Sequence, residues 1–197
     1  MSVIFLQIKY PELEFAFNAI QGIELPKRSS WSVEKSIIKI ICGQMLSRPV
    51  ASTIFNRLME ASQDDAHACL KLSTQSLTEC GLSKQKVRTL REVQKHSEIC
   101  IGLEHWKEFS YTELCKEVKS IWGLSQWSSD MLAIFYFGHE DVYPSGDGTL
   151  KKAEKIINEK IYQNKIFEPQ KAHPYRTLLS IYMWAFIDQK ILNDDLI

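Results

Sequence analysis

Apolar residues recur at intervals of three and four positions along most of the chain, which is the spacing of one face of an α-helix. The first clear stripe lies in residues 32–46, where Ser32 is a candidate N-cap. Its apolar positions are Val33, Ile37, Ile38, Ile41 and Met45. After Pro49 the same spacing continues at Val50, Ile54, Leu58 and Met59. We therefore predict two consecutive amphipathic helices.

The rest of the chain shows further helical segments and few strand signals. The predicted helices cover 64–71, 74–79, a basic segment capped by Ser83, a segment from near Tyr111 to before Gly123, and then 127–137, 149–162 and 172–188. No repeat, low-complexity run or obvious linker interrupts them. The pattern predicts an all-α chain that forms a single domain over residues 1–197.

Composition permits a sizeable core and gives no sign of a membrane segment. Apolar residues make up 45% of the chain, with nine Phe and five Trp. No stretch approaches the roughly 18 consecutive apolar residues of a membrane helix, and the N-terminus lacks the features of a signal peptide. We expect a cytoplasmic protein, associated with the nucleoid if its partner is DNA. The net charge is zero, so charge alone does not indicate nucleic-acid binding.

Cysteine and histidine spacing gives no indication of a metal site. The five cysteines contain no CxxC pair and no disulfide framework, so we interpret them as reduced and mostly buried thiols. The five histidines form no HxxxH or HxH pair. We predict no metal and no cofactor.

The segment from 111 to 153 carries the candidate chemistry. Two short predicted helices flank a tight turn at Trp122-Gly123-Leu124-Ser125, and such a hairpin can aim backbone N–H groups at a phosphate. Asp147 follows in a Pro-Ser-Gly-Asp-Gly turn that opens a helix, where free N–H groups favour an ionised carboxylate. Such a carboxylate could stabilise a developing sugar cation. Taken alone, the turn favours an ordinary N-cap, which is the role of most Asp residues that precede helices.

Four blocks in this order resemble the helix-hairpin-helix DNA glycosylases, and in particular the alkylation-repair branch of 3-methyladenine DNA glycosylase II. The blocks are IICGQMLS (40–47), IWGLSQWSSDMLAIF (121–135), DVYPSGDGTLKKA (141–153) and the weaker HPYRTLLSIYMW (173–184). The resemblance implies an all-α glycosylase fold with two helical lobes flanking a DNA-binding cleft. It places the hairpin at about 111–137 and the catalytic loop at about 141–149.

Carried over position by position, the resemblance makes Asp147 the catalytic carboxylate, on the cleft wall. Trp127 stands where lyase-active relatives have a Schiff-base lysine, which implies a monofunctional enzyme that uses water as its nucleophile. Trp127 could equally be a core aromatic. Trp184 matches a pocket-wall aromatic, with a structural role as the alternative, and Met131 occupies a position where some alkylation enzymes have a pocket tyrosine.

The resemblance also implies DNA contacts. Gln44 and Met45 match the positions that fill the gap left by the flipped base, although Met45 also fits the core stripe of its helix. The hairpin from Gly123 to Ser125, followed by Ser128 and Ser129, is expected to bind one backbone phosphate. The family hairpin usually has the sequence Leu-Pro-Gly-x-Gly, so Trp122 and Ser125 depart from it. That departure could weaken phosphate binding.

Together these features predict a monofunctional glycosylase that hydrolyses the N-glycosidic bond of damaged purines, N-alkylated ones in particular, in duplex DNA. We expect a monomer with damaged double-stranded DNA as partner and no membrane association. The alternatives are a glycosylase for oxidised or deaminated bases, a non-catalytic helix-hairpin-helix DNA-binding module, and a helical interaction protein or helix-turn-helix regulator. For the basic cluster at Lys84, Lys86, Arg88 and Arg91, a solvated face is favoured over phosphate binding.

Overall fold

The computed structural model describes residues 2–20, 22–163 and 165–193, and every regular element in these ranges is helical. The α-helices are α1 (Ser2–Lys9), α2 (Glu14–Ala19), α3 (Val33–Gly43), α4 (Arg48–Ala61), α5 (Ala66–Lys71), α6 (Thr74–Glu79), α7 (Lys84–Ile99), α8 (Tyr111–Ser120), α9 (Gln126–Leu132), α10 (Gly148–Ile156) and α11 (Arg176–Asp188). Short 3₁₀ turns occur at Pro11–Leu13, Glu104–Glu108 and Pro169–Ala172. The predicted all-α fold is confirmed.

The chain divides into two compact units. The terminal unit contains residues 1–27 and 138–197, and the central unit contains residues 28–137. Asp147 belongs to the terminal unit, whereas the hairpin between α8 and α9 belongs to the central unit.

The core of the terminal unit joins the N-terminal helices to α10 and α11. Phe17 of α2 packs edge-on against Tyr182 and Phe186 of α11, with ring centroids 5.2 and 5.4 Å apart. Leu150 of α10 is fully buried in the same core. Burial of each such side chain stabilises the fold by about 1.5–3 kcal/mol. The apolar core therefore fixes the helix that carries Asp147.

The central unit is built around α3 and α7. Their inward positions are buried as the helical spacing predicts, namely Val33, Ile37, Ile38 and Ile41 in α3 and Val87, Leu90 and Val93 in α7. Ser32 caps α3 by accepting from the Lys35 N–H at 3.1 Å. Ser83 caps α7 by accepting from the Lys86 N–H at 3.4 Å. Both predicted N-caps are confirmed.

Several predicted boundaries need correction. Helix α3 ends at Gly43, so Met45 does not continue the core stripe, and Val50 is exposed at the start of α4. After Leu132 the backbone widens into a π-helical turn, Ala133–Phe137, and α10 is likewise extended by the π turn Ile157–Tyr162. The last helix begins only at Arg176, because the residue before a proline is disfavoured in the helical conformation, and His173 accordingly has a ψ of 133°. The apolar N-terminal segment forms α1 and α2, for which no helix was predicted.

The described cysteines are free thiols. Four of them are buried, and burial raises the pKa of Cys42 to about 12 and that of Cys69 to about 11. Such thiols are poor nucleophiles at neutral pH. Within the described ranges no helix has the length and apolarity to cross a membrane, and no cluster of His, Cys, Asp or Glu could hold a metal ion.

Candidate functional site

Asp147 is the N-cap of α10, and three N–H groups converge on its Oδ1. The backbone N–H of Thr149 donates at 2.9 Å and that of Leu150 at 3.1 Å. The third donor is the indole Nε1 of Trp184, at 3.0 Å. Hydrogen bonds from N–H groups stabilise the charged form of a carboxylate, as does the partial positive charge of a helix N-terminus. The half-buried side chain is therefore held in one orientation by these three donors.

Trp184 lies on α11, one turn after Ser180, and is half-buried. Its hydrogen bond to Asp147 links two helices through one side-chain contact across 37 positions of sequence. Sequence reasoning assigned Trp184 to a pocket wall or to a structural role and missed this contact. The geometry gives Trp184 a role in positioning the carboxylate, while its contact with a base remains a prediction.

The loop that leads to Asp147 is fixed to α11 at several points. Arg176 donates from Nε and Nη2 to the two carboxylate oxygens of Asp141, at 2.7 and 2.8 Å. The Arg176 guanidinium lowers the pKa of Asp141 to about 2. Thr177 Oγ1 accepts from the Val142 N–H at 3.0 Å and donates to the His139 carbonyl at 2.7 Å. These contacts fix the start of the loop that leads to the Asp147 turn.

Tyr143 and Glu154 form a second support beneath the turn. The Tyr143 hydroxyl donates to the Glu154 carboxylate at 2.5 Å, and burial with this neighbouring carboxylate raises the pKa of Tyr143. Glu154 lies two helical turns after Asp147 on α10, so both side chains are on one helix face. Sequence reasoning missed this pair as well.

The hairpin turn between α8 and α9 has no room for a side chain at Gly123. This residue has a φ of +86°, and a Cβ built on it would lie 2.0 Å from Thr89 Oγ1 of α7. The adjacent Trp122 is partly exposed, and the Arg88 guanidinium stacks over its ring at 3.8 Å from the centroid. The turn therefore packs tightly against α7, despite the tryptophan at 122.

Ser128 and Ser129 lie inside the central unit, not on its surface. Both are fully buried, and Ser128 Oγ accepts from the Ser125 N–H at 3.3 Å. Ser129 Oγ donates to the Ser125 carbonyl at 3.3 Å. The prediction that these two serines bind a phosphate is corrected by this burial, since their hydroxyls hold the first turn of α9. Ser125 itself is exposed, and its phosphate contact stays a prediction.

Met45 projects from the surface just after the end of α3. It is fully exposed and has a φ of +56°, which non-glycine residues rarely adopt. The interpretation of Met45 as a core residue is therefore wrong. Its exposed position is the one required of a DNA wedge, a side chain that fills the gap left by a flipped base. Beside it lies a cavity of about 480 Å³, lined by Gln44, Met45, Leu46, Lys86, Trp122 and other residues of α7 and the hairpin.

The sequence has relatives among DNA glycosylases. It is 28% identical over 166 residues to the alkylbase DNA glycosidase-like protein mag2 of Schizosaccharomyces pombe, which covers 76% of each chain. It is 25% identical over 173 residues to DNA-3-methyladenine glycosylase 1 of the same organism, covering 81% of this chain and 75% of that one. These similarities agree with the resemblance of the sequence blocks to the helix-hairpin-helix DNA glycosylases. No protein-family model matches it.

Solved structures show the same glycosylase fold. The structure of 3-methyladenine DNA glycosylase Mag1 from Schizosaccharomyces pombe, in complex with abasic DNA, has a TM-score of 0.79 at 19% identity and covers 95% of this chain and 96% of that chain. DNA-3-methyladenine glycosidase from Bacillus halodurans has a TM-score of 0.72 at 22% identity, with 95% and 90% covered. The fold predicted from the sequence blocks is therefore confirmed.

Two of the predicted pocket residues lie on α9 in the central unit. Trp127 is half-buried, and Met131 is almost fully buried. Neither belongs to the unit that holds Asp147, so their contact with a flipped base remains a prediction.

The basic cluster on α7 is used in three different ways. Lys86 Nζ donates to the Cys42 carbonyl at 2.9 Å, and Arg91 donates to the Leu70 carbonyl at 2.5 Å. Arg88 stacks on Trp122, and Lys84 is exposed. The cluster is thus neither a continuous phosphate-binding patch nor a purely solvated face.

Proposed function

We propose that this chain is a monofunctional DNA glycosylase that hydrolyses the N-glycosidic bond of N-alkylated purines in duplex DNA, with Asp147 as the catalytic carboxylate. One relative is named an alkylbase DNA glycosidase-like protein and another a DNA-3-methyladenine glycosylase, and a solved structure of the same fold is a complex with abasic DNA, the product of base removal. The sequence blocks of the Asp147 loop and of the hairpin resemble the same family and so support the same function.

The convergence of three N–H donors on Asp147 Oδ1 carries the proposal. An ordinary N-cap needs only the two backbone donors of its own helix, as Asp65 shows at the start of α5, where it accepts from the His67 and Ala68 N–H groups. The indole of Trp184 adds a donor from a different helix. That extra contact fixes the direction of the carboxylate, which electrostatic stabilisation of a cation requires.

The reaction begins when the damaged nucleotide leaves the helical stack, at a cost of a few kcal/mol. The C1′–N bond then breaks, and its electron pair goes to the base. A purine that carries a positive charge from alkylation departs as a neutral molecule and needs no proton. The deoxyribose becomes an oxocarbenium-like cation, which the Asp147 carboxylate stabilises until water adds to C1′ and loses a proton to solvent.

Trp127 supports hydrolysis without strand cleavage. Lyase-active members of the superfamily use a lysine amine at the matching position, and an indole cannot form a Schiff base. Water is therefore the nucleophile, and the product is an intact strand with an abasic site.

Substrate preference follows from charge and aromatic faces. A cation desolvated against an aromatic ring gains about 0.5–2 kcal/mol, more than a neutral base gains. The family resemblance implies that Trp127 and Trp184 are such aromatic faces and that Met131 is a further pocket residue. We expect 3-methyladenine and 7-methylguanine to be released faster than neutral lesions such as hypoxanthine.

The decisive variant is Asp147→Asn, because asparagine keeps the N-cap but removes the negative charge. We expect single-turnover excision of 7-methylguanine to fall by about 10²–10³-fold or more, with folding and DNA binding retained. Asp65→Asn is the matched control, because it makes the same change at an N-cap with two similar backbone bonds. Turnover near the wild-type rate in Asp147→Asn would remove Asp147 from the mechanism.

The same assay tests the substrate and the nucleophile. Duplexes that carry single alkylated, deaminated or oxidised bases should rank with the cationic purines first. Faster release of neutral oxidised guanine than of 7-methylguanine would contradict the substrate assignment. Borohydride should trap no covalent protein–DNA adduct, and a trapped adduct would show that an amine acts as nucleophile.

A further inference from the structure

The end of α3 and the hairpin turn are joined by one side chain, Gln44. Its Nε2 donates to the Gly123 carbonyl at 3.0 Å and also approaches Ser128 Oγ at 3.4 Å. We propose that Gln44 is a positioning residue that couples the Met45 wedge to the phosphate-binding hairpin, so that hairpin binding drives base extrusion. This inference rests on the proposed glycosylase function.

The backbone around Met45 is held by hydrogen bonds on both sides, so that a displacement of the hairpin can be passed on to Met45. The Gln44 N–H donates to the Ile40 carbonyl at 3.1 Å, and the Leu46 N–H donates to the Gly43 carbonyl at 3.3 Å. Met45 therefore stands in a closed turn with hydrogen bonds on both sides. Its positive φ persists only where the surrounding structure imposes it, and the adjacent Gln44 amide is bonded to the hairpin.

The hairpin side of the contact is equally constrained. Gly123 lies so close to Thr89 that the turn cannot move toward α7. Lys86 of the same helix holds the last turn of α3 through the Cys42 carbonyl, 2.9 Å from its Nζ. Within the central unit, the end of α3, the hairpin and α7 thus form one rigid block.

This arrangement changes the role expected for Gln44. Its amide is occupied by the hairpin carbonyl and so points into the protein, whereas the neighbouring Met45 side chain points into solvent. A phosphate bound at the hairpin would fix the position of Met45 relative to the DNA. Loss of the Gln44 contact should therefore impair extrusion of a paired base and spare bond cleavage in a base that is already unpaired.

The experiment compares one lesion in two duplexes, fully paired or within a short run of mismatches. Gln44→Met and Gln44→Glu both keep the approximate length of the side chain and remove the N–H donor. We expect each to slow excision from the paired duplex by about tenfold, which corresponds to one lost hydrogen bond in a rigid setting. Excision from the mismatched duplex should stay within about twofold of the wild-type rate. Gln75→Met, which removes an exposed glutamine amide bonded to Glu79, should leave both rates unchanged.

A second measurement does not depend on excision. A 2-aminopurine beside the target base in a non-cleavable duplex becomes fluorescent when the wild-type protein unstacks it, and both Gln44 variants should reduce that signal at saturating protein. Equal slowing of the two duplexes, or undiminished unstacking by the variants, would overturn the coupling. If the wild-type protein excises no lesion, the proposed function fails, and the fluorescence comparison still decides the role of Gln44. Should one variant be unfolded by circular dichroism, the other serves for both measurements.

Discussion

The turn around Asp147 and the turn around Gly123 are both proposed to act on DNA, but different kinds of contact stabilise them. The Asp147 turn is held mainly by its own neighbours, since Thr149 and Leu150 supply two of the three donors to its carboxylate. The Gly123 turn is held by side chains distant in sequence, those of Gln44, Arg88 and Thr89. The Asp147 carboxylate thus combines local capping with one donor from a different helix, whereas the Gly123 turn depends on side chains distant in sequence.

The glycines of the two turns differ in how closely other atoms approach them. A Cβ at Gly146 or Gly148 would meet no described atom within 4 Å, and neither has a positive φ. A Cβ at Gly123 would overlap Thr89 Oγ1. The glycines that flank Asp147 are therefore not a steric requirement, whereas Gly123 of the hairpin is one.

The largest expected effect comes from Gly123→Ala. The positive φ and the overlap with Thr89 should lower the free energy of unfolding by about 2 kcal/mol or more, and the displaced turn should lose most of its DNA binding. Gly146→Ala should change stability by less than about 0.5 kcal/mol and keep full excision. Denaturant unfolding and DNA titration measure both effects.

Thr89→Ala tests the cause of that loss. It removes the Oγ1 atom that a Cβ at position 123 would overlap, so it should restore part of the stability of Gly123→Ala. Equal losses of unfolding free energy in Gly123→Ala and Gly146→Ala would contradict the difference between the two turns.

A smaller effect is expected from Trp184→Phe, which keeps an aromatic ring and removes the N–H donated to Asp147. Single-turnover excision should fall by about tenfold, because the carboxylate loses one of its three donors, while DNA affinity stays the same. Trp31→Phe is the control, since Trp31 is also half-buried but stacks on Phe55 in the central unit. Excision at the full rate in Trp184→Phe would mean that local capping alone positions Asp147.

The same contrast explains what the sequence could predict. Helical spacing predicts α3 and α7, and the Pro-Ser-Gly-Asp-Gly turn predicts Asp147 as an N-cap, because both depend on residues a few positions apart. The Trp184 indole reaches Asp147 across 37 positions. The Thr89 wall at Gly123 is equally non-local, and no periodicity signals it. Met45 was ambiguous because the stripe of α3 continues in sequence after the helix has ended at Gly43.

The smallest effect concerns the departure of the hairpin from the family sequence. The stacked Arg88 and Trp122 side chains brace the turn where relatives have a proline, and an exposed cation–π contact contributes about 0.5–1 kcal/mol. Arg88→Met should therefore weaken binding of lesion-containing duplex by about two- to fivefold and leave the excision rate of bound DNA unchanged. Lys84→Met, which removes an exposed charge from the same helix, controls for net charge.

Trp122→Leu separates bracing from a direct phosphate contact by Arg88. If Arg88 acts through the ring, Arg88→Met should cost nothing further in the Trp122→Leu background, and the salt dependence of binding should be the same with and without Arg88. If Arg88 contacts a phosphate, its loss should weaken binding equally in both backgrounds and lower the slope of log K against log salt by about 0.9. The second result would assign Arg88 to the DNA contact and leave Gln44 and Thr89 as the distant side chains that hold the hairpin.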